Sequence, residues 1–261
     1  MSILIPTVGP QLVYRLNPVA KLITAAVISL ALVLTIDWVS AGVALALESV
    51  LFFWAGLGPR RFFLRTLPAW IAALLSALTI LLYGRASGDT HLQFLLIHVT
   101  DGSIELAIAT FLRVLAIGLP AIVLFATVDP TDLADGLAQV LKLPARFVLG
   151  ALAGLRLVGL FLDDWRQLEL ARRARGIADR GRLRRFAGQA FALFVLSIRR
   201  GSKLATAMEA RGFGSTIPRS WARQSRLTAA DAGLIAIGVG VAATSVIVSV
   251  TTGNWNFIVG Q

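Results

Sequence analysis

The residues best suited to chemistry in this 261-residue chain are two arginines in a repeated tripeptide, Ala174-Arg175-Gly176 and Ala210-Arg211-Gly212. A planar guanidinium makes paired hydrogen bonds to a carboxylate while keeping its charge, a geometry lysine does not match. A small alanine lets a helix tip approach a partner surface. Glycine ends the helix, because it accepts the left-handed conformation that caps the last carbonyls. The chemistry on offer is recognition of an acidic partner rather than bond making. The plainer alternative is that both arginines face solvent or lipid headgroups, as arginines in basic loops usually do.

Other candidates carry less. Gly201-Ser202-Lys203 has the ending of a phosphate-binding loop, but Leu196 stands where that loop needs its first glycine, so no ATP hydrolysis is expected of this chain. His91 and His98 are seven apart and could share a helix face, yet no carboxylate accompanies them and no metal site is expected. Asp163 and Asp164 are adjacent, and adjacent helical residues point about 100° apart, which suits helix-surface ion pairs better than paired acid catalysis. Arg113 lies inside an apolar run, where a charge must snorkel, pair or face another subunit. The absence of cysteine excludes disulfides, thiolate metal sites and cysteine nucleophiles.

The two tripeptides have to be positioned by long helices. Residues 145–174 begin with Phe147, Val148, Leu149, Leu152 and Leu155, turn at Asp163-Asp164, and finish with Arg172 and Arg173. Residues 186–198 are almost wholly apolar and are followed by Arg199, Arg200, Lys203 and Glu209. At about 1.5 Å per residue this second apolar stretch is too short to cross a bilayer. Both read as helices whose first halves pack at the membrane interface and whose last turns project into the cytoplasm. Arg175 and Arg211 then fall where the helix dipole favours a cation by roughly 0.3–1 kcal/mol.

The rest of the chain belongs in lipid. Apolar residues make up 57% and charged residues only 15%, and the mean hydropathy is +0.78, values of an integral membrane protein. Five spans are expected, over 19–36, 38–57, 67–83, 104–128 and 229–251, with breaks at Asp37, Gly58-Pro59 and Asp129-Pro130. Basic residues set the orientation: Arg15, Lys21, Arg60, Arg61 and Arg65 share one side, whereas the 84–103 loop carries Arg85 against Asp89 and Asp101. A cytoplasmic amino terminus and an outer carboxyl terminus follow. The first residues lack a secretory signal, so the mature chain is expected to start near Met1. Residues 142–226 hold 18 of the 25 Lys and Arg but 5 of the 14 Asp and Glu. Positive-inside topology accounts for such an excess, and anionic lipid headgroups would be drawn to it. Nucleic acid is not expected, because no recognisable reading module accompanies the charge.

With these residues in view, the chain resembles the T component of energy-coupling factor (ECF) importers, the EcfT-like family that includes CbiQ and BioN. The likeness rests on Arg15-Leu16-Asn17-Pro18-Val19-Ala20-Lys21 at the first span, with Asn17 where the family more often has Asp. It rests also on Thr127-Val128-Asp129-Pro130-Thr131-Asp132-Leu133 leading to Leu143-Pro144, and on Ala207-Met208-Glu209-Ala210-Arg211-Gly212-Phe213. The resemblance implies that Ala174, Arg175, Gly176, Ala210, Arg211 and Gly212 end two crossing coupling helices, each docking on one of two ABC-type ATPases. Those partners would bind the ATP and magnesium, with no cofactor in this chain. It implies further that a separate membrane S component holds the cargo, be it biotin, another vitamin or a transition-metal ion. The surface expected to carry that subunit includes Leu137, Val140, Leu141, Phe147, Leu152 and Leu155.

The fold expected is therefore an all-α integral membrane protein of the plasma membrane, with about five transmembrane helices plus a cytoplasmic module of long coupling helices. Its parts are residues 1–129 with four spans, the basic module 130–228 with both tripeptides, and 229–261 with the last span and tail. Two alternatives compete with a non-catalytic coupling subunit. One is a substrate-lining permease of another ABC importer; the other is a membrane enzyme acting on anionic lipid, which the lack of a convergent His, Asp or Cys constellation disfavours.

Overall fold

The computed structural model describes residues 16–35, 37–54, 59–84, 87, 89–94, 97–125, 127–176, 181–215, 220–253 and 255. Arg15, Gly58 and Arg85 lie outside them. The described helices are α1 Pro18–Val33, α2 Trp38–Trp54, α3 Pro59–Tyr83, α4 Asp101–Phe125, α5 Pro130–Gln139, α6 Ala145–Ala174, α7 Arg182–Ala210 and α8 Ala229–Thr251. Their boundaries follow local chemistry. Asn17 caps α1, its Oδ1 accepting Val19 N–H at 2.9 Å ahead of Pro18 in the first turn, where a missing N–H costs nothing. Thr228 and Asp231 form a reciprocal capping box at the start of α8.

The protein is all-α and membrane-embedded. Four helical stretches are long and apolar enough to cross a bilayer, namely Phe62–Tyr83, Asp101–Phe125, Ala145–Ala174 and Ala229–Thr251. The first two expected spans differ from this standard: α1 has 16 residues and α2 has 17, about 24–26 Å against a hydrocarbon core of roughly 30 Å. Conversely, α6 meets the length and composition of a span, although its charged second half argues for the interface.

The 84–103 loop brings a second correction. It contains a two-stranded antiparallel hairpin, β1 Thr90–Phe94 with β2 Ile97–Thr100. Gln93 pairs with His98 there, and an irregularity falls between Thr90 and Leu92. His91 and His98 are thus on separate strands and not on one helix face. Thr, Phe, Ile and Val within a short run favour the pleated backbone, a signal that apolar content had masked.

The chain divides into two compact units, residues 1–136 with 225–261, and residues 137–224. In the first, α4 is the shared wall. Ala116 packs with Ile28 and Leu32 of α1, Ala44 of α2 and Val241 of α8, while Leu115 and Leu119 pack with Ala69 and Ala73 of α3. Alanines at these contacts let helices approach closely, the packing rule of membrane bundles. Of the glycines in α8, Gly238 is the one pressed against a neighbour: a Cβ there would lie 2.6 Å from Thr24 Cγ2, whereas Gly233 and Gly240 have open space.

Polar groups tie this bundle at both ends. Asp37 accepts from Ser40 N–H at 2.6 Å, Ser40 Oγ at 2.8 Å and Ser249 Oγ at 2.7 Å. Asn17 N–H donates to Asp231 Oδ1 at 2.6 Å. The starts of α1 and α8 therefore share one end of the bundle and their finishes share the other. Arg113 donates to the Thr35 carbonyl, so the intramembrane arginine is held by backbone at the end of α1. Glu48, 1% exposed, has neither carboxylate oxygen hydrogen-bonded among the described residues.

Candidate functional site

Both tripeptides end a helix in the same way. The last helical residues are Ala174 and Ala210, and Arg175 and Arg211 are the cap residues with φ, ψ of −88°, 3° and −91°, 11°. Gly176 and Gly212 follow at φ +67° and +77°, the left-handed region. At α7 the closure is complete: Gly212 N–H donates to Glu209 O and Phe213 N–H to Met208 O, both at 2.9 Å, the pair of bonds that defines a Schellman motif. At α6 the corresponding Gly176 N–H donates to Arg173 O at 3.0 Å. Open space surrounds Gly176, and Gly212 has only Ser215 Oγ at 3.6 Å. Glycine is thus demanded by backbone angle and not by crowding. Ala174, Arg175, Gly176, Ala210, Arg211 and Gly212 are all exposed.

The helices that carry these tips are clamped together. Arg200 brings Nη2 to 2.9 Å from Asp164 Oδ1 and Nη1 to 2.8 Å from Oδ2. Glu169 Oε1 accepts Arg185 at 2.5 Å and Arg173 at 2.7 Å. Arg172 reaches over to the backbone of α7, donating to Gly188 O at 2.8 Å and Arg185 O at 3.4 Å. Trp165 and Phe186 rings meet at 5.5 Å. Contacts of 172 with 185–188 and of 164 with 200 make the helices antiparallel across their contact. The tips then lie at opposite ends of the pair: Arg175 is about 15 Å beyond Trp165 along α6, and Arg211 about 38 Å beyond Phe186 along α7.

The two adjacent aspartates part company. Asp163 makes a loose surface pair with Arg166 at 3.9 Å, as expected of it, while Asp164 turns inward and holds the other helix. Sequence reasoning missed the clamp residues Asp164, Glu169, Arg172, Arg185 and Arg200. A charged residue of each sign on two neighbouring helices was visible, but their pairing was not.

The residues expected to carry a second membrane subunit lie along the end of α5, the following turn and α6. Phe147 is 64% exposed, Leu155 56% and Leu141 40%, while Leu137, Val140 and Leu152 are half-buried. Val158, Leu160 and Leu162 continue the exposed apolar surface along α6, and on α7 Phe186, Phe191, Phe194, Val195 and Ile198 are exposed as well. Arg146 stacks over Phe147 with its guanidinium 4.8 Å from the ring centre. So many uncovered large apolar residues need lipid or protein beside them.

Known proteins resemble the chain over most of its length. The family CbiQ, described as cobalt transport protein, matches residues 9–220. The chain is similar to the energy-coupling factor transporter transmembrane protein EcfT of Limosilactobacillus fermentum, 27% identical over 82% of this chain and 84% of that relative. It is also similar to the EcfT proteins of Lactococcus lactis subsp. cremoris, at 28% over 87% of this chain and 90% of the relative, and of Streptococcus equi subsp. equi, at 26% over 78% and 80%.

Proposed function

Because the chain belongs to the CbiQ family of cobalt transport proteins, we propose that it is the transmembrane coupling subunit of an ECF-type ABC importer, with Arg175 and Arg211 each seating one ABC-type ATPase. The observation that carries this reading is the duplicated tip, an exposed cap arginine followed by a left-handed glycine, at opposite ends of one clamped helix pair. Two equal sockets on two ATPases need two equal plugs set apart. A rigid clamp between the plugs makes their separation mechanically useful.

In this mechanism the chain catalyses nothing. Nucleotide binding in the partner ATPases draws the two arginine tips toward one another, and α6 and α7 act as levers about the Asp164–Arg200 clamp. The exposed apolar surface of Leu141, Phe147 and Leu155 shifts the membrane S component that holds a vitamin or transition-metal cargo. The basic ends of the helices and the start of α1 face the cytoplasm, and the end of α8 faces outward, consistent with the positive-inside rule.

The test is co-purification from native membranes, comparing wild type with Arg175→Glu/Arg211→Glu and identifying bound chains by mass spectrometry. The expected result is that ATPases and a small membrane protein accompany wild type, and that the variant loses the ATPases at least tenfold while keeping the small protein. Equal ATPase capture by both would overturn the assignment of the arginines. Substrate binding with ATPases but no further membrane subunit would favour a permease instead.

A further inference from the structure

The segment from Asn17 to Lys21 has no part in the tips, yet it bonds to partners 106 to 214 positions away along the chain. Asn17, 9% exposed, donates from Nδ2 to Ser225 Oγ at 3.0 Å and to Arg226 O at 3.2 Å, and its backbone N–H donates to Asp231 Oδ1 at 2.6 Å. Lys21, 1% exposed, donates from Nζ to Thr127 Oγ1 at 2.9 Å and Thr127 O at 3.2 Å. Just beyond Thr127, Asp129 Oδ1 accepts Thr131 N–H at 2.7 Å and starts α5. Buried Gly136 on α5 completes the knot. A Cβ there would stand 2.6 Å from Val19 Cγ2, 3.4 Å from Asn17 Oδ1 and 3.5 Å from Ser225 Oγ.

The position of this knot in the chain gives it meaning. The membrane unit ends at Gly136 and resumes at Ser225, so these are the two points where the chain leaves for residues 137–224 and returns. Both touch Asn17. Loose connections would absorb any displacement of the 137–224 unit, whereas connections held against one buried side chain, Ser225 by a hydrogen bond and Gly136 by packing, pass it on to α1.

We infer that Asn17, Lys21 and Gly136 form a fixed pivot that gathers both connections of the 137–224 unit on the start of α1 and transmits its movement into the membrane bundle. This rests on the coupling-subunit reading. Asn17 acts as a positioning residue, holding Ser225 against Gly136. Gly136 is required because any side chain would wedge the contact open, and Lys21 holds the α4–α5 turn from which α5 departs.

The test uses the complete complex with its ATPases in nanodiscs. The chain has no cysteine, so spin labels at Ser87→Cys and Lys203→Cys report one distance between the units by pulsed electron resonance. The distance is measured without nucleotide and with ATP plus vanadate. Asn17→Leu/Ser225→Ala is expected to lose at least half of the nucleotide-driven shift and to broaden the distribution, with ATPase capture unchanged. A separate preparation replaces the hydrogen bonds covalently by Gly136→Cys/Ser225→Cys in the Asn17→Leu background, with Val19→Ala admitting the new Cβ. There the unit movement is followed through fluorescent proteins fused at the carboxyl terminus and inserted after Ser215. Oxidation is expected to restore the shift and reduction to abolish it again, a reversal that a merely structural loss would not show. A wild-type shift in Asn17→Leu/Ser225→Ala, or a disulfide that freezes the movement, would overturn the pivot alone. A wild-type complex that captures no ATPase would remove the coupling reading, and the pivot with it.

Discussion

One chemical change, glycine to alanine, is expected to act in opposite directions inside α7 and just past its end. At Gly212 the backbone is left-handed, φ +77°, and an L residue held there costs about 1–2 kcal/mol. At Gly201 the backbone is helical and nothing lies within 4 Å of a new Cβ, so alanine gains the roughly 0.8–1.0 kcal/mol that separates it from glycine in a helix. The amides that report this are Gly212 and Phe213, whose bonds to Glu209 O and Met208 O close the last turn. Hydrogen exchange of the detergent-solubilised protein should show them opening about 5–30 times more readily in Gly212→Ala. Amides around residue 201 should exchange about fourfold more slowly in Gly201→Ala. Asparagine tolerates the left-handed region better, so Gly212→Asn should lie between wild type and alanine. ATPase capture should follow the same order if the cap aims Arg211. Unchanged exchange in Gly212→Ala, or asparagine no better than alanine, would refute the claim that backbone angle is what the second tripeptide requires.

Further expectations follow from what each side chain would leave behind. Arg200→Ala strands Asp164, whose side chain is 8% exposed, and should cost about 3 kcal/mol, whereas Asp164→Ala frees an arginine 39% exposed that can turn to water and should cost about 1 kcal/mol; denaturant midpoints of the two variants compare them directly, and equal losses would contradict the asymmetry. Glu48 buries two oxygens that have no partner among the described residues, so Glu48→Met should stabilise by about 1–3 kcal/mol, seen as a higher melting temperature, and a lower one would show that the carboxyl is satisfied. Gly238→Ala should cost about 1–3 kcal/mol through collision with the Thr24 methyl and be relieved by Thr24→Ser, while Gly240→Ala should be neutral or stabilising in the same melting assay.

How far the sequence alone reached can be judged residue by residue. Helix stops were legible because their causes are local, a glycine after each cap arginine ending α6 and α7; the caps Asn17-Pro18 of α1 and Thr228 with Asp231 of α8 are as local, but only the structure drew attention to them. The span expected over 229–251 coincides with α8, since an uninterrupted apolar run of that length leaves little choice. The bilayer as solvent was written in composition, and so was the repeated tip, because three consecutive residue types suffice to specify it. The 90–100 hairpin was not, since its apolar residues satisfy helix and strand periods alike over so short a run.

What tertiary structure decided is which faces meet. Nothing local distinguishes Asp163 from Asp164, yet one faces solvent and the other holds Arg200 across 36 positions of chain. Gly233, Gly238 and Gly240 read alike until α1 is laid against α8 and only one of them meets Thr24. Asn17 could be read as a helix cap from its neighbour Pro18. Its second role, holding Ser225 from 208 positions away, exists only after folding, because hydrogen-bond partners distant in sequence are chosen by the packing of whole helices and not by the residues beside them.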